Sequence, residues 1–217
     1  MTARTERVEF ASKNGVLQVE KLLAILIGLA LVFQVGHFVE HGVQFVVWIS
    51  GKYEWVVSNF CGRGTPFMSR PVTEIVSVLG EYLFPEESIA RQTMMGMEIL
   101  HLIGNSIFLA SIVGLTYFIR TKWVRYALYI ESAHLCEHIS LTLSAYYLGK
   151  PIGLSTLFGQ ASLWLGSESA VGWRVSWHFF MNLLPMPFVM IALMQQWSAR
   201  RQILSLGGSG QKAASGC

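Results

Sequence analysis

The sequence predicts an all-α integral membrane protein, a four-transmembrane-helix bundle built from two parallel hairpin repeats. Three observations carry that expectation. Of 217 residues, 53% are hydrophobic and only 13% charged, with a mean hydropathy of +0.46. A soluble domain carries roughly 25% charged residues. Four windows reach the roughly 20 apolar residues that a helix needs to cross a bilayer. Two of these windows repeat one H-x-x-E-H spacing, "HFVEH" from His37 and "HLCEH" from His134.

The first expected span, Leu22–Ser50, follows a polar arm and is too long for a signal-peptide core, so it is read as retained. The others are Met95–Ile119, Val124–Leu148 and Val175–Trp197, the last interrupted by Pro185 and Pro187, which should kink it. Arg4, Arg7, Lys13 and Lys21 precede the first span, Arg120, Lys122 and Arg125 fill the turn between the second and third, and Arg200 and Arg201 follow the fourth. Excess Lys and Arg mark cytoplasmic loops. The expectation is a multi-pass protein with both termini in the cytoplasm. Its parts are a cytoplasmic polar arm (1–21), a first hairpin with a long outer loop (22–119), a second hairpin (120–197) and a flexible cytoplasmic tail (198–217). The net charge of +3 thus reports topology and gives no reason to expect nucleic acid. The partners expected are the lipid bilayer and other membrane subunits or a second copy of the chain.

Within the first outer loop, "PVTEIVSVLGEYLF" sets Val72, Ile75, Val76, Leu79 and Leu83 near one helical face, which predicts a helix lying in the interface. The second outer loop, 149–174, is glycine-rich and apolar and reads as re-entrant or surface-lying. The seven tryptophans, Trp55 among them, fall near span ends or in outer loops, as aromatic belts do. Three cysteines form no closed disulfide framework. Cys61 is expected to be a free thiol and Cys136 to pack as a small residue within its span.

All six histidines fall inside the expected spans. A polar side chain left unsatisfied in lipid costs several kcal/mol, so intramembrane ionisable groups mark functional sites. Helical rise of about 1.5 Å per residue lets all six occupy one layer about 10–15 Å thick. The repeat extends beyond the pentapeptide. Gln34 precedes His37 as Glu131 precedes His134, and His101-x-x-x-Asn105 matches His178-x-x-x-Asn182.

Two histidines at i and i+4 can chelate one metal, with a third from the neighbouring helix. The groupings expected are His37, His41 and His101, and His134, His138 and His178. Glu40 and Glu137 are expected to ligate or bridge the ions. Gln34, Glu98, Asn105, Glu131 and Asn182 are expected to orient the ligands from behind. Glu98-x-x-His101 and Glu131-x-x-His134 share the E-x-x-H spacing of ferritin-like di-iron bundles, a similarity of spacing alone. H-x-x-E-H is also a protease signature. Its duplication inside spans, with no peptide-binding domain, argues against that chemistry here.

The function expected is that of a metalloprotein with a dinuclear site in the outer half of the bilayer, built on a transition metal (iron, copper or zinc). It is read as a metal-dependent oxidoreductase, an oxidase or oxygenase. The rivals are a non-catalytic metal-binding or structural subunit of a larger membrane complex and a b-type haem electron-transfer protein. Metal transport fits poorly, because the cytoplasmic halves of the spans are almost wholly apolar.

Overall fold

The computed structural model describes the backbone of residues 2–51 and 70–213 and the side chains of residues 18–51, 71–199 and 201. Cys61, Cys217 and Trp55 lie outside these ranges, as do the side chains of most of the polar arm. The described chain is all-helical, with no strand. Its elements are α1 (Thr2–Ser50), α2 (Arg70–Leu83), α3 (Ile89–Phe118), α4 (Lys122–Leu148), a 3-10 turn (Leu154–Thr156), α5 (Ala161–Leu165), α6 (Ser167–Leu183) and α7 (Pro185–Ala213). α1 packs on α3 and α6, and α4 packs on α3 and α7.

α1 ends where the sequence puts the end of its span. It begins earlier, because extending an existing helix into a segment without proline needs only propagation, not a new nucleus. The polar arm of 1–21 is therefore helical from Thr2. At the other end the segment expected as a flexible tail continues α7 to Ala213, despite the low helix propensity of Gly207, Gly208 and Gly210. On α1, Ile27, Gln34, His41 and Trp48 recur every seven residues. The first three are buried, whereas Val32, Val35, Val39, Val43 and Val46 face outward.

α3 and α4 form an antiparallel hairpin. Ser88 accepts from the Arg91 N–H at the start of α3, and Thr121 from the Val124 N–H at the start of α4. Gly149 ends α4 at φ +71°, a left-handed conformation open to glycine without strain. Below the histidines, Ile27, Phe108, Ile112, Leu115, Val124, Ala127, Val189 and Ala192 close into one apolar core contributed by α1, α3, α4 and α7.

Three segments are long and apolar enough to cross a membrane, namely Gln18–Ser50, Ile89–Phe118 and Ser167–Ala199. α4 has the length but not the hydropathy, because its inner face carries Glu131, His134, Glu137 and His138, all buried against neighbours. The last segment breaks at Leu184, between α6 and α7. Pro185 and Pro187 have no N–H there to continue the helical ladder, which fits the expected kink.

α2 occupies the segment expected to be helical, and only part of its apolar face packs on the protein. Ile75 and Leu83 are exposed, and the buried positions are Thr73, Val76 and Gly80. Glycine decides this. A Cβ on Gly80 would run into the Gln92 carbonyl and one on Gly96 into the Val76 carbonyl, so α2 and α3 meet backbone to backbone. Cys136, expected to pack inside its span, is exposed.

The loop after α4 folds back onto it. Ser140 Oγ donates to the Ile152 carbonyl at 2.7 Å, and the Ile152 N–H donates to Ser144 Oγ at 2.7 Å. Leu157 and Phe158 follow at φ 46° and 55°. Conformations of this kind cost of order 1–3 kcal/mol each for non-glycine residues and persist only where surrounding contacts enforce them.

Gly96→Leu should expel α2 from α3 and lower stability by about 1–3 kcal/mol, measured by reversible unfolding of the detergent-solubilised protein. An unchanged midpoint would show that the glycine contact does not hold α2.

Candidate metal centre

His37 and His41 stand one turn apart on α1 with their Nε2 atoms separated by 3.2 Å. His134 and His138 repeat this on α4 at 3.1 Å. Two imidazoles bound to one ion at about 2.0–2.1 Å have nitrogens separated by about 2.8–3.4 Å, for angles between octahedral and tetrahedral. Both pairs therefore have the spacing of ligands on a shared ion.

Each pair meets a histidine from the next helix. His101 on α3 lies 5.4 Å from His37 and 5.5 Å from His41, ring centre to ring centre. The potential ligand atoms of His37, His41 and His101 all fall within 4.8 Å of one another. On the other side, His178 on α6 lies 5.2 Å from His138 and 6.4 Å from His134. The two sets touch: His101 stacks on His138 at 5.4 Å and His41 on His178 at 5.7 Å. Six rings from α1, α3, α4 and α6 thus form one cluster.

Backbone carbonyls fix the orientation of two rings. His101 Nδ1 sits 2.8 Å from the Met97 carbonyl and His178 Nδ1 sits 2.9 Å from the Arg174 carbonyl, each one turn earlier. A carbonyl only accepts, so both Nδ1 atoms carry the proton and both Nε2 lone pairs are left for a ligand role. Asn105 Nδ2 donates to the His101 carbonyl at 2.9 Å and Asn182 Nδ2 to the His178 carbonyl at 2.8 Å. Gln34 Nε2 donates to Asn182 Oδ1 at 2.8 Å, tying α1 to α6 beneath the rings.

The glutamates behave differently from expectation. Glu40 Oε1 accepts from Gln44 Nε2 at 3.3 Å, and Gln44 Oε1 faces His41 Nδ1 at 3.2 Å. Glu40 thus reaches His41 through an amide. Glu137 Oε1 accepts from the Ser155 N–H at 2.6 Å, so its carboxylate anchors the loop after α4. Each glutamate lies about 60° around the helix from the first histidine of its motif and about 100° from the second, and its carboxylate is hydrogen-bonded to a group outside the rings. Glu98 is fully buried and pairs with Arg174, while Thr142 Oγ1 donates to its backbone carbonyl at 3.3 Å. Glu131 Oε2 stands 3.5 Å from His134 Nδ1, beyond hydrogen-bonding distance.

Among the buried atoms without a hydrogen-bond partner are both Glu131 oxygens, Asn105 Oδ1 and the Nδ1 atoms of His134 and His138. Gln34 Oε1 on α1 is a further one. Buried polar atoms without partners are rare in folded proteins, and unplaced ions are one ordinary reason for them.

Gln44, Arg174 and Ser155 were not expected at the site. Gln44 follows His41 by three residues on the same face, a legible signal. Arg174 precedes His178 by four, yet it reads as a loop cation. Ser155 acts through its backbone N–H, which no side-chain pattern reveals. Above the rings a cavity of about 890 Å³ opens onto His41, His101 and His178.

Fold and site together define a class: an all-helical protein with helices of membrane-crossing length and a buried histidine cluster that could hold metal. The chain belongs to the family described as "Family of unknown function (DUF6008)", matched over residues 6–214. No curated protein and no solved structure matches it significantly.

Removing one partner of a buried ion pair costs about 3–5 kcal/mol, whereas replacing both with apolar groups is often neutral. Glu98→Leu and Arg174→Leu should therefore each destabilise the protein more than the double variant does. A double variant as unstable as the two single losses summed would mean that the pair is not coupled.

Proposed function

We propose that the protein is a multi-pass membrane metalloprotein whose four long helical segments cross the bilayer as two parallel hairpin repeats. Support for the fourth crossing comes from α4, whose mid-helix ionisable residues Glu131, His134, Glu137 and His138 are all buried against its neighbours. Support for the repeat comes from matched details: paired Nε2 atoms at 3.2 and 3.1 Å, carbonyl-bound His101 and His178, and Asn105 and Asn182 donating to those histidines' own carbonyls. The positions of Lys and Arg favour both termini in the cytoplasm and the cavity on the outer side.

The observation that carries the metal reading is the ligand-like spacing of both histidine pairs, each joined by a third imidazole with a free Nε2. One ion is held by His37, His41 and His101, and a second by His134, His138 and His178. The stacked His101 and His138 rings bring the two sites close enough to act as one dinuclear centre. Three-histidine sites leave a coordination position open, as catalytic rather than purely structural sites do. The cavity over that position favours an oxidoreductase using iron, copper or zinc, all of which suit imidazole. Direct contact among the rings favours bare ions over b-type haem, whose macrocycle needs a gap between facing imidazoles.

Elemental analysis of the purified protein tests this. His41→Ala and His138→Ala should each lower bound metal by about half, since each disables one of two sites. Unchanged stoichiometry in both variants would end the proposal. Gln44→Leu should weaken the ion at His41 about 10–100-fold, read in a chelator competition. Wild-type affinity in that competition would remove Gln44 from the site.

A further inference from the structure

We infer that the cavity above the rings binds a single-chain amphiphile with an anionic head, the head at Lys150 and the chain running down to the histidines. The cavity holds about 890 Å³, within the roughly 300–1,000 Å³ of small-molecule sites. Its walls are α3 from Ile89 to His101 and α6 from Ser167 to His178. Those stretches give a depth of about 16–18 Å at 1.5 Å per residue. That shape suits an extended chain better than a compact polar metabolite.

The lining is mixed, with Thr93, Ser162 and Ser167 beside the apolar Ile89, Met97, Val171 and Val175. Charge is one-sided: among the described residues Lys150 and Arg174 line the cavity and no Asp or Glu does. Arg174 is already neutralised by Glu98. Lys150 is exposed at the rim and makes no ion pair among the described residues. An anionic head therefore has one open charge partner, and it lies at the end of α4 where the helices leave the expected hydrocarbon layer. An amphiphile placed there keeps the orientation it has in a membrane leaflet, with its head at the interface and its tail inward. It slides into the protein without turning over. A carboxylate and a phosphate share the required chemistry.

This inference rests on the metal-centre reading for what the chain meets at the cavity floor, but its test does not. The full-length protein in nanodiscs of zwitterionic lipid is titrated with hexadecanoate, hexadecyl phosphate and hexadecanol, and its metal content is measured in parallel. At least one anion should bind about fivefold more tightly than the alcohol, the scale of one solvent-exposed charge pair. The preferred anion identifies the head group as a free acid or a phosphate. Lys150→Met should erase that preference, and Ala90→Trp, at an exposed rim position, should block binding of all three probes. Both variants should keep the wild-type metal content. Equal affinity for anions and alcohol, or wild-type binding by both variants, would overturn the inference. Metal-loaded protein that binds none of the probes sinks this inference alone. Metal-free protein that still prefers the anion supports it and sinks the metal reading instead.

Discussion

Two backbone carbonyls, those of Met97 and Arg174, organise the site more than any side chain does. A neutral imidazole has one donor and one acceptor nitrogen, and packing several together leaves open which nitrogen faces which. By accepting from Nδ1 of His101 and of His178, the carbonyls decide this for the two rings that stand between the pairs on α1 and α4. Because the acceptors belong to the preceding helical turn, the arrangement comes with helix formation itself. The asparagines one turn further on continue the pattern, and Gln34 connects one of them to α1. Imidazoles, amides and carbonyls thus form a continuous polar seam between helices whose outer faces are almost wholly apolar.

The two halves of this seam share a plan but not its details. Gln34 on α1 corresponds to Glu131 on α4. The glutamine amide N–H is hydrogen-bonded to Asn182, whereas the glutamate lies near His134 with neither oxygen hydrogen-bonded. Gln44 supports His41, but the matching position on α4 is Leu141, an apolar core residue. One pair of histidines therefore has an elaborated polar backing and the other an orphaned acid. These differences make the two histidine sets chemically distinct.

Much of this was legible in the sequence. Helix ends at Ser50, Thr121 and Gly149 follow from local signals, and the convergence of the histidines follows from their confinement to apolar windows. What stayed hidden depends on backbone proximity. The buried face of α2 is set by two glycines that let main chains touch, and hydrophobic periodicity is blind to them. Glu40 and Glu137 share a pentapeptide with the histidines, but their carboxylates bond to Gln44 and to the Ser155 N–H, contacts that the spacing does not reveal. Arg174 looks like a loop residue until α6 is seen to begin at Ser167. The polar ends of α1 and α7 look unstructured by composition, yet they continue their helices to Thr2 and Ala213.

The seven-residue recurrence of Ile27, Gln34, His41 and Trp48 has a geometric consequence for α1. An ideal straight helix drifts about 20° per seven residues, or about 60° over the three intervals from Ile27 to Trp48. To keep all four on its neighbours, α1 must wind with a left-handed supercoil, as strands of a rope do. The phase of this helix is then as much a part of the site as its histidines. One residue inserted between Gln34 and His41 would swing the imidazole about 100° around the axis while leaving the amount of greasy surface almost untouched.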